Sequence, residues 1–189
     1  MKRLVQAIVC VAAFSGMNPA LAEAPAAVAT CVGCHGQDGI SVNPEWPNLG
    51  GQYADYLALQ LKAYRDGTRK NVLMQGIAGG LTDDDIAALA EYYAAQPVHI
   101  AANGEASLVS EGQNRAGYCK ACHGMKGYPV ASEWPVLAGQ NAAYFAAQLA
   151  AFKSMERIHP AMQAVAKDLK PSHMDALAAY YSQLTPDQD

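Results

Sequence analysis

The chain has 189 residues, with 13 Lys and Arg against 17 Asp and Glu, giving a formal net charge of −4. A composition of 51% hydrophobic and 16% charged residues belongs to a folded globular chain, and the acidic balance excludes a nucleic-acid binder that needs a basic face. Past the N-terminus no run of about 20 apolar residues occurs, which excludes a membrane-spanning helix from the rest of the chain.

Lys2 and Arg3 lead into the apolar stretch 4–14, followed by Ala20-Leu21-Ala22. A basic segment, a short apolar segment and an A-x-A site form an export signal, so residues 1–22 are expected to be cleaved and the protein to be periplasmic. Ile8-Val9 before Cys10 is a poor lipoprotein signal, and Cys10 is read as part of the leader. The remaining chain carries 11 basic and 17 acidic residues and four cysteines.

A helix is expected from about Pro25 into Cys31-Val32-Gly33-Cys34-His35, followed by a Gly/Pro-rich loop over 36–51. Tyr53, Tyr56, Leu57, Leu61 and Tyr64 recur at helical spacing, and Gly67 closes that helix. Met74 falls in what reads as a loop. Thr82-Asp83-Asp84-Asp85 is an N-cap with acidic residues in the first turn, opening a helix to about Gln96. Pro97 ends it. A second series follows: a helix from about Glu105 into Cys119-Lys120-Ala121-Cys122-His123, a loop over 124–139, helices over 142–152 and 171 to about 184, and Met162 between them.

The two series are one sequence repeated. A shift of 88 residues, without a gap, superposes both cysteine motifs, Glu45-Trp46-Pro47 on Glu133-Trp134-Pro135, and Gly51-Gln52 on Gly139-Gln140. It also superposes Tyr56 on Tyr144, Gln60 on Gln148, Arg69 on Arg157, Met74-Gln75 on Met162-Gln163, and Tyr92-Tyr93 on Tyr180-Tyr181. Roughly four positions in ten match, which marks an internal duplication. The expected organisation is a leader at 1–22, a domain at 23–98, a linker at 99–104 and a second domain at 105–189. Each half is small for a purely side-chain core, so a bound group is expected to complete it.

C-x-x-C-H is the attachment motif of c-type haem: two thiols bond the two vinyl groups, and the adjacent His ligates iron from beneath the ring. A thioredoxin-like C-x-x-C needs strands that this pattern lacks, a zinc site needs further ligands at close spacing, and disulfides leave the repeated His unexplained. Cys31, Cys34, Cys119 and Cys122 are therefore the expected attachment points of two haem c groups, with His35 and His123 as iron ligands. Met74 and Met162 each lie 39 residues after their His and are the only methionines past the leader that coincide under the repeat, so they are the expected opposite ligands. Met125, Met155 and Met174 have no repeat partner and read as packing residues. His99, His159 and His173 read as solvent-facing or loop residues. Pro47 and Pro135 are placed to offer a carbonyl to each ligand His. Arg69 and Arg157 are candidates to pair with haem propionates, and Trp46 and Trp134 to line the haem rim.

In these motifs the chain resembles the cytochrome c4 family. The resemblance rests on Cys31–Gly36, Trp46–Gln52, Tyr56–Leu61, Met74–Ala78 and Leu81–Ala90, and on Cys119–Gly124, Trp134–Gln140 and Met162 in the second half. It implies an all-α fold of two tandem class I cytochrome c domains, a pseudo-twofold pair with haem propionates meeting at the interface. It further implies a periplasmic electron carrier that is not itself an enzyme. Its partners would be an upstream reductase or dehydrogenase and a downstream terminal oxidase, with no nucleic acid and at most peripheral membrane association, the protein being a monomer. The alternative is a dihaem subunit of a dehydrogenase complex for sulfide, thiosulfate or alcohol oxidation.

Overall fold

The computed structural model describes residues 24–185; the expected leader lies outside the described residues. Among these residues the structure is helical and contains no strand. The first half comprises α1 (Val28–His35), α2 (Ala54–Arg65), α3 (Val72–Ala78) and α4 (Asp83–Ala94). The second comprises a 3-10 turn (Ala106–Leu108), α5 (Val109–Arg115), α6 (Gly117–His123), α7 (Ala142–Lys153), α8 (Pro160–Ala166) and α9 (Pro171–Gln183).

The expected helices appear within a residue or three of their read limits. Thr82 caps α4 through its side chain, with Asp85 returning the bond to the Thr82 backbone, so the acidic first turn also faces the positive end of the helix dipole. The helix expected from Glu105 is instead a 3-10 turn and two helices broken at Ala116. The methionine segments correct the sequence reading. Met74 and Met162 sit in seven-residue helices, because Asn71 and His159 act as N-caps and accept from the Met74 and Met162 amides. Helices this short leave almost no periodic pattern for a sequence to display.

In each half the last helix packs across the long middle one. Leu57, Leu89, Ala90 and Tyr93 meet Val28 in the first core, with Leu61 packed against them; Phe145, Leu149, Leu177, Ala178 and Tyr181 occupy the positions matching Leu57, Leu61, Leu89, Ala90 and Tyr93 in the second. The connection between halves lies against the second: Ala101 donates to the Gly139 carbonyl and Ala102 to the Ser182 carbonyl.

Candidate functional site

A continuous cavity of about 950 Å³ runs between the halves. Its lining includes Cys31, Cys34, His35 and Met74 from the first half and Cys119, Cys122, His123 and Met162 from the second. Helices α1 and α6 end at His35 and His123, where Gly36 and Gly124 turn the chain with positive φ. Each of these histidines then lies beneath the returning loop. His35 Nδ1 is 3.0 Å from the Pro47 carbonyl and His123 Nδ1 is 3.1 Å from the Pro135 carbonyl. With Nδ1–H donated to a carbonyl, the other ring nitrogen is left as the lone-pair donor. Burial pushes both imidazoles below the usual histidine range, with the proline carbonyls acting in the opposite sense. The neutral form is the one that ligates a metal.

The four thiols are free of disulfides. Burial pushes Cys31 and Cys119 up, which keeps them neutral, and the Tyr93 and Tyr181 hydroxyls lie beside them as repeat counterparts. Each wall therefore offers two thiols, an imidazole with a fixed ring and a thioether to a largely apolar space. This donor set fits a covalently attached haem and matches no arrangement for acid–base hydrolysis.

The arginines give a second test of fit. Arg69, buried at 7% exposure, donates to Gln60 Oε1 in its own half (2.6 Å) and to the Tyr144 hydroxyl (3.0 Å) and Gln148 Oε1 (2.8 Å) in the other. Arg157 mirrors it, donating to Gln148 Oε1 (2.8 Å), the Tyr56 hydroxyl (2.9 Å) and Gln60 Oε1 (2.9 Å). Two guanidinium groups thus share the same two amide oxygens, and among the described residues no carboxylate lies within ion-pair distance of either. Two cations side by side, Arg69 buried and Arg157 partly so, call for an anion. Both line the cavity, so carboxylates carried by the bound groups fit there. Trp46 and Trp134 line the same cavity beside the prolines.

Other residues were absent from the sequence reading as site residues. Tyr56, Gln60, Tyr144 and Gln148 knit the arginines together across the halves. Gln52 and Gln140 each bond the backbone of the opposite half. The available signal was their exact recurrence under the repeat, since polar residues duplicated along with a site have a reason to stay polar. His159 and His173 are cap residues, accepting from the Met162 and Lys170 amides at 3.4 and 3.3 Å.

Comparison with known proteins agrees with this geometry. A family model described as Cytochrome c matches residues 21–95. Cytochrome c4 of Pseudomonas aeruginosa is 32% identical, over 95% of this chain and 98% of that protein. A thiosulfate dehydrogenase electron acceptor of Thiomonas intermedia is 35% identical, over 83% of this chain and 78% of its own. The crystal structure of reduced recombinant cytochrome c4 from Pseudomonas stutzeri aligns with a TM-score of 0.78 and 31% identity, covering 84% of this chain and 95% of that one. The fold is accordingly two class I cytochrome c domains in tandem. Two haem c groups are bound covalently at the two cysteine motifs. With a relative matched almost end to end and the same site present twice, the chain belongs to the cytochrome c4 family.

Proposed function

We propose that this dihaem electron-transfer protein carries single electrons on two His/Met-ligated centres and delivers them to a terminal oxidase. The observation that carries the reading is the matched pair of Cys/Cys/His/Met sets on one continuous cavity. When bound, each haem supplies one-electron Fe(III)/Fe(II) chemistry. The chain's own part is to hold it by Cys31, Cys34, Cys119 and Cys122 and to ligate through His35 and Met74, and His123 and Met162. With Met74 and Met162 as ligands, the thioethers would favour the reduced state and leave no open site for oxygen. Arg69 and Arg157 neutralise propionates at the interface, and Trp46 and Trp134 shield the rim.

The domains run over 23–98 and 105–189 about a linker at 99–104, and residues 1–22 direct export to the periplasm. Among the described residues no helix is long and apolar enough to cross a membrane. A second reading, service as the acceptor subunit of a dehydrogenase, is favoured by the Thiomonas intermedia relative. Residues 23–103 hold 4 basic and 9 acidic residues, net −5, whereas residues 104–189 hold 7 and 8, net −1. The first half therefore suits a basic partner surface, and electron exchange there slows as salt is added.

Optical redox titration of the purified protein, following the far-red methionine-to-iron charge-transfer band, tests the ligation. Two irons bearing the band, both at positive potential, support it. An iron that lacks the band, or that binds carbon monoxide readily when reduced, overturns it for that half.

A further inference from the structure

The two glutamines that clasp the halves together reach the iron ligands through a single peptide unit. The His35 ring N–H is held by the Pro47 carbonyl. That carbonyl and the Asn48 N–H belong to the same peptide group. The Asn48 N–H donates to Gln140 Oε1 at 2.8 Å, across the interface, and Gln140 Nε2 donates back to the Asn48 carbonyl at 3.0 Å. The repeat reproduces the arrangement in the opposite sense. The His123 ring N–H is held by the Pro135 carbonyl. The Val136 N–H of that same peptide donates to Gln52 Oε1 at 2.8 Å, and Gln52 Nε2 donates to the Val136 carbonyl at 3.0 Å. Asn48, Gln52, Val136 and Gln140 are all buried. Each amide oxygen takes one more backbone donor, Asn141 N at 3.0 Å on Gln140 and Tyr53 N at 3.1 Å on Gln52, which fixes both side chains.

We propose that Gln140 tunes the iron of the first half, and Gln52 the iron of the second, each acting as a positioning residue across the interface through the peptide that holds the proximal histidine. This rests on the His ligation proposed above. A peptide whose N–H is engaged by an acceptor has a more electron-rich carbonyl, so its own bond to a donor strengthens. A proximal His that donates more strongly is a more basic ligand. A more basic ligand favours Fe(III) and lowers the potential. The clasp also keeps the Pro47 and Pro135 carbonyls from turning away, which fixes the ring orientation. Ordinary interface packing has no such directional consequence. Here a residue in one half acts on the potential of the other half's iron, and the effect is crossed twice.

The test is redox titration of the intact dihaem protein and its Gln140→Leu, Gln140→Glu and Gln52→Leu variants. The irons are assigned separately by the hyperfine-shifted NMR signals of each haem. Gln140→Leu is expected to raise the first-half potential by about threefold in the reduction equilibrium, ~28 mV at 59 mV per tenfold, with the second-half iron held near its original value. Gln52→Leu is expected to do the reverse. Gln140→Glu keeps an acceptor for the Asn48 N–H and is expected to return the first-half potential to the original value or below it. Equal shifts of both irons, a shift only of the iron in the mutated half, or a rise with Gln140→Glu as well as Gln140→Leu would overturn the proposal. Loss of the His/Met signature in the unmodified protein would instead overturn the ligation reading, so the two failures are distinct.

Discussion

In the first half α4 buries Ile86, Leu89, Ala90 and Tyr93, a single face from which Leu89 and Tyr93 line the cavity. Its counterpart α9 buries Met174 and then everything from Ala176 to Ser182. The added burial comes from the end of the linker and from α5, the helix that precedes the second cysteine motif. Gly104 lies against Ala179 and Gly112 of α5 against Ala176 and Tyr180, so α9 is covered on two sides. The sequences record this: Glu91 is exposed where Ala179, its repeat partner, is 1% exposed. The second face serves stability, and it is the part of the duplication that diverged.

The largest expected effect breaks that extra layer. A Cβ on Gly112 would overlap the Ala176 carbonyl, a backbone group that cannot step aside. Gly112→Ala is expected to lose about 2–3 kcal/mol of stability, the scale of overpacking at a close helix contact. Denaturant titration checks it. An unchanged midpoint would mean that α5 is not held against α9.

The paired residues that line the cavity were largely legible from sequence, because covalent haem attachment fixes both residue type and spacing at the cysteine motifs. Cys31, Cys34 and His35 must be adjacent to grip one ring, and the 39-residue interval to methionine recurs. Pro47 and Pro135 were placed by the loop alone, and the structure brings their carbonyls within hydrogen-bond reach of both histidines. Less legible was everything that crosses between halves. Gln52, Gln60, Gln140 and Gln148 look like ordinary surface amides until the fold sets each opposite the other half's backbone or arginine, and no local pattern encodes such long-range pairs. The α3 and α8 helices escaped for the opposite reason, since seven residues are too few for a period to show.

A second contrast lies under the arginines. Arg69 sits over the Tyr64 ring and Arg157 over Phe152, each 4.6 Å from the ring centre, and these two aromatic residues are repeat partners. Only the first half carries the hydroxyl. Burial pushes Tyr64 up to about 12, and the guanidinium of Arg69 only partly offsets it. An unfolded tyrosine loses its proton near pH 10 while the folded one keeps it to about 12. The unfolded state therefore binds fewer protons in that window, and stability falls as pH rises through it. About 2 kcal/mol present below pH 10 is lost by pH 12. Tyr64→Phe is expected to remove this part of the alkaline loss and make the first half resemble the second. Urea midpoints measured between pH 9 and 12 decide it; equal alkaline slopes for variant and parent would refute the assignment.

The methionine helices offer a smaller contrast. Asn71 accepts from Met74 N at 2.9 Å, whereas His159 accepts from Met162 N at 3.4 Å. Loss of the better cap should cost more. Asn71→Ala is expected to lose about 1 kcal/mol, and His159→Asn to gain a few tenths. The denaturant midpoint for loss of the far-red band in each half reads both. Equal costs for Asn71→Ala and His159→Ala would show that cap quality does not distinguish the supports of the two methionines.

The smallest contrast concerns how the middle helices stop. After α2 the chain turns at Gly67 with φ of 74°, and after α7 at Met155 with φ of 64°. That region costs a side-chain-bearing residue about 1–2 kcal/mol, while glycine occupies it freely. The turns are otherwise alike, with Gly67 N bonded to the Tyr64 carbonyl at 3.2 Å and Met155 N to the Phe152 carbonyl at 3.4 Å. Met155 is 66% exposed, so its side chain recovers little of the cost through packing. Glycine gives back part of the gain as unfolded-state freedom, about 0.5–1 kcal/mol. Met155→Gly should therefore stabilise by only about 0.5 kcal/mol. The reverse change, Gly67→Ala, meets no obstacle closer than Gln75 Nε2 at 3.6 Å, so any loss there is a backbone loss alone. Stabilisation at 155 together with destabilisation at 67 would place the cost in the backbone. A loss at both sites would mean that the Met155 side chain contributes packing that outweighs its strained turn.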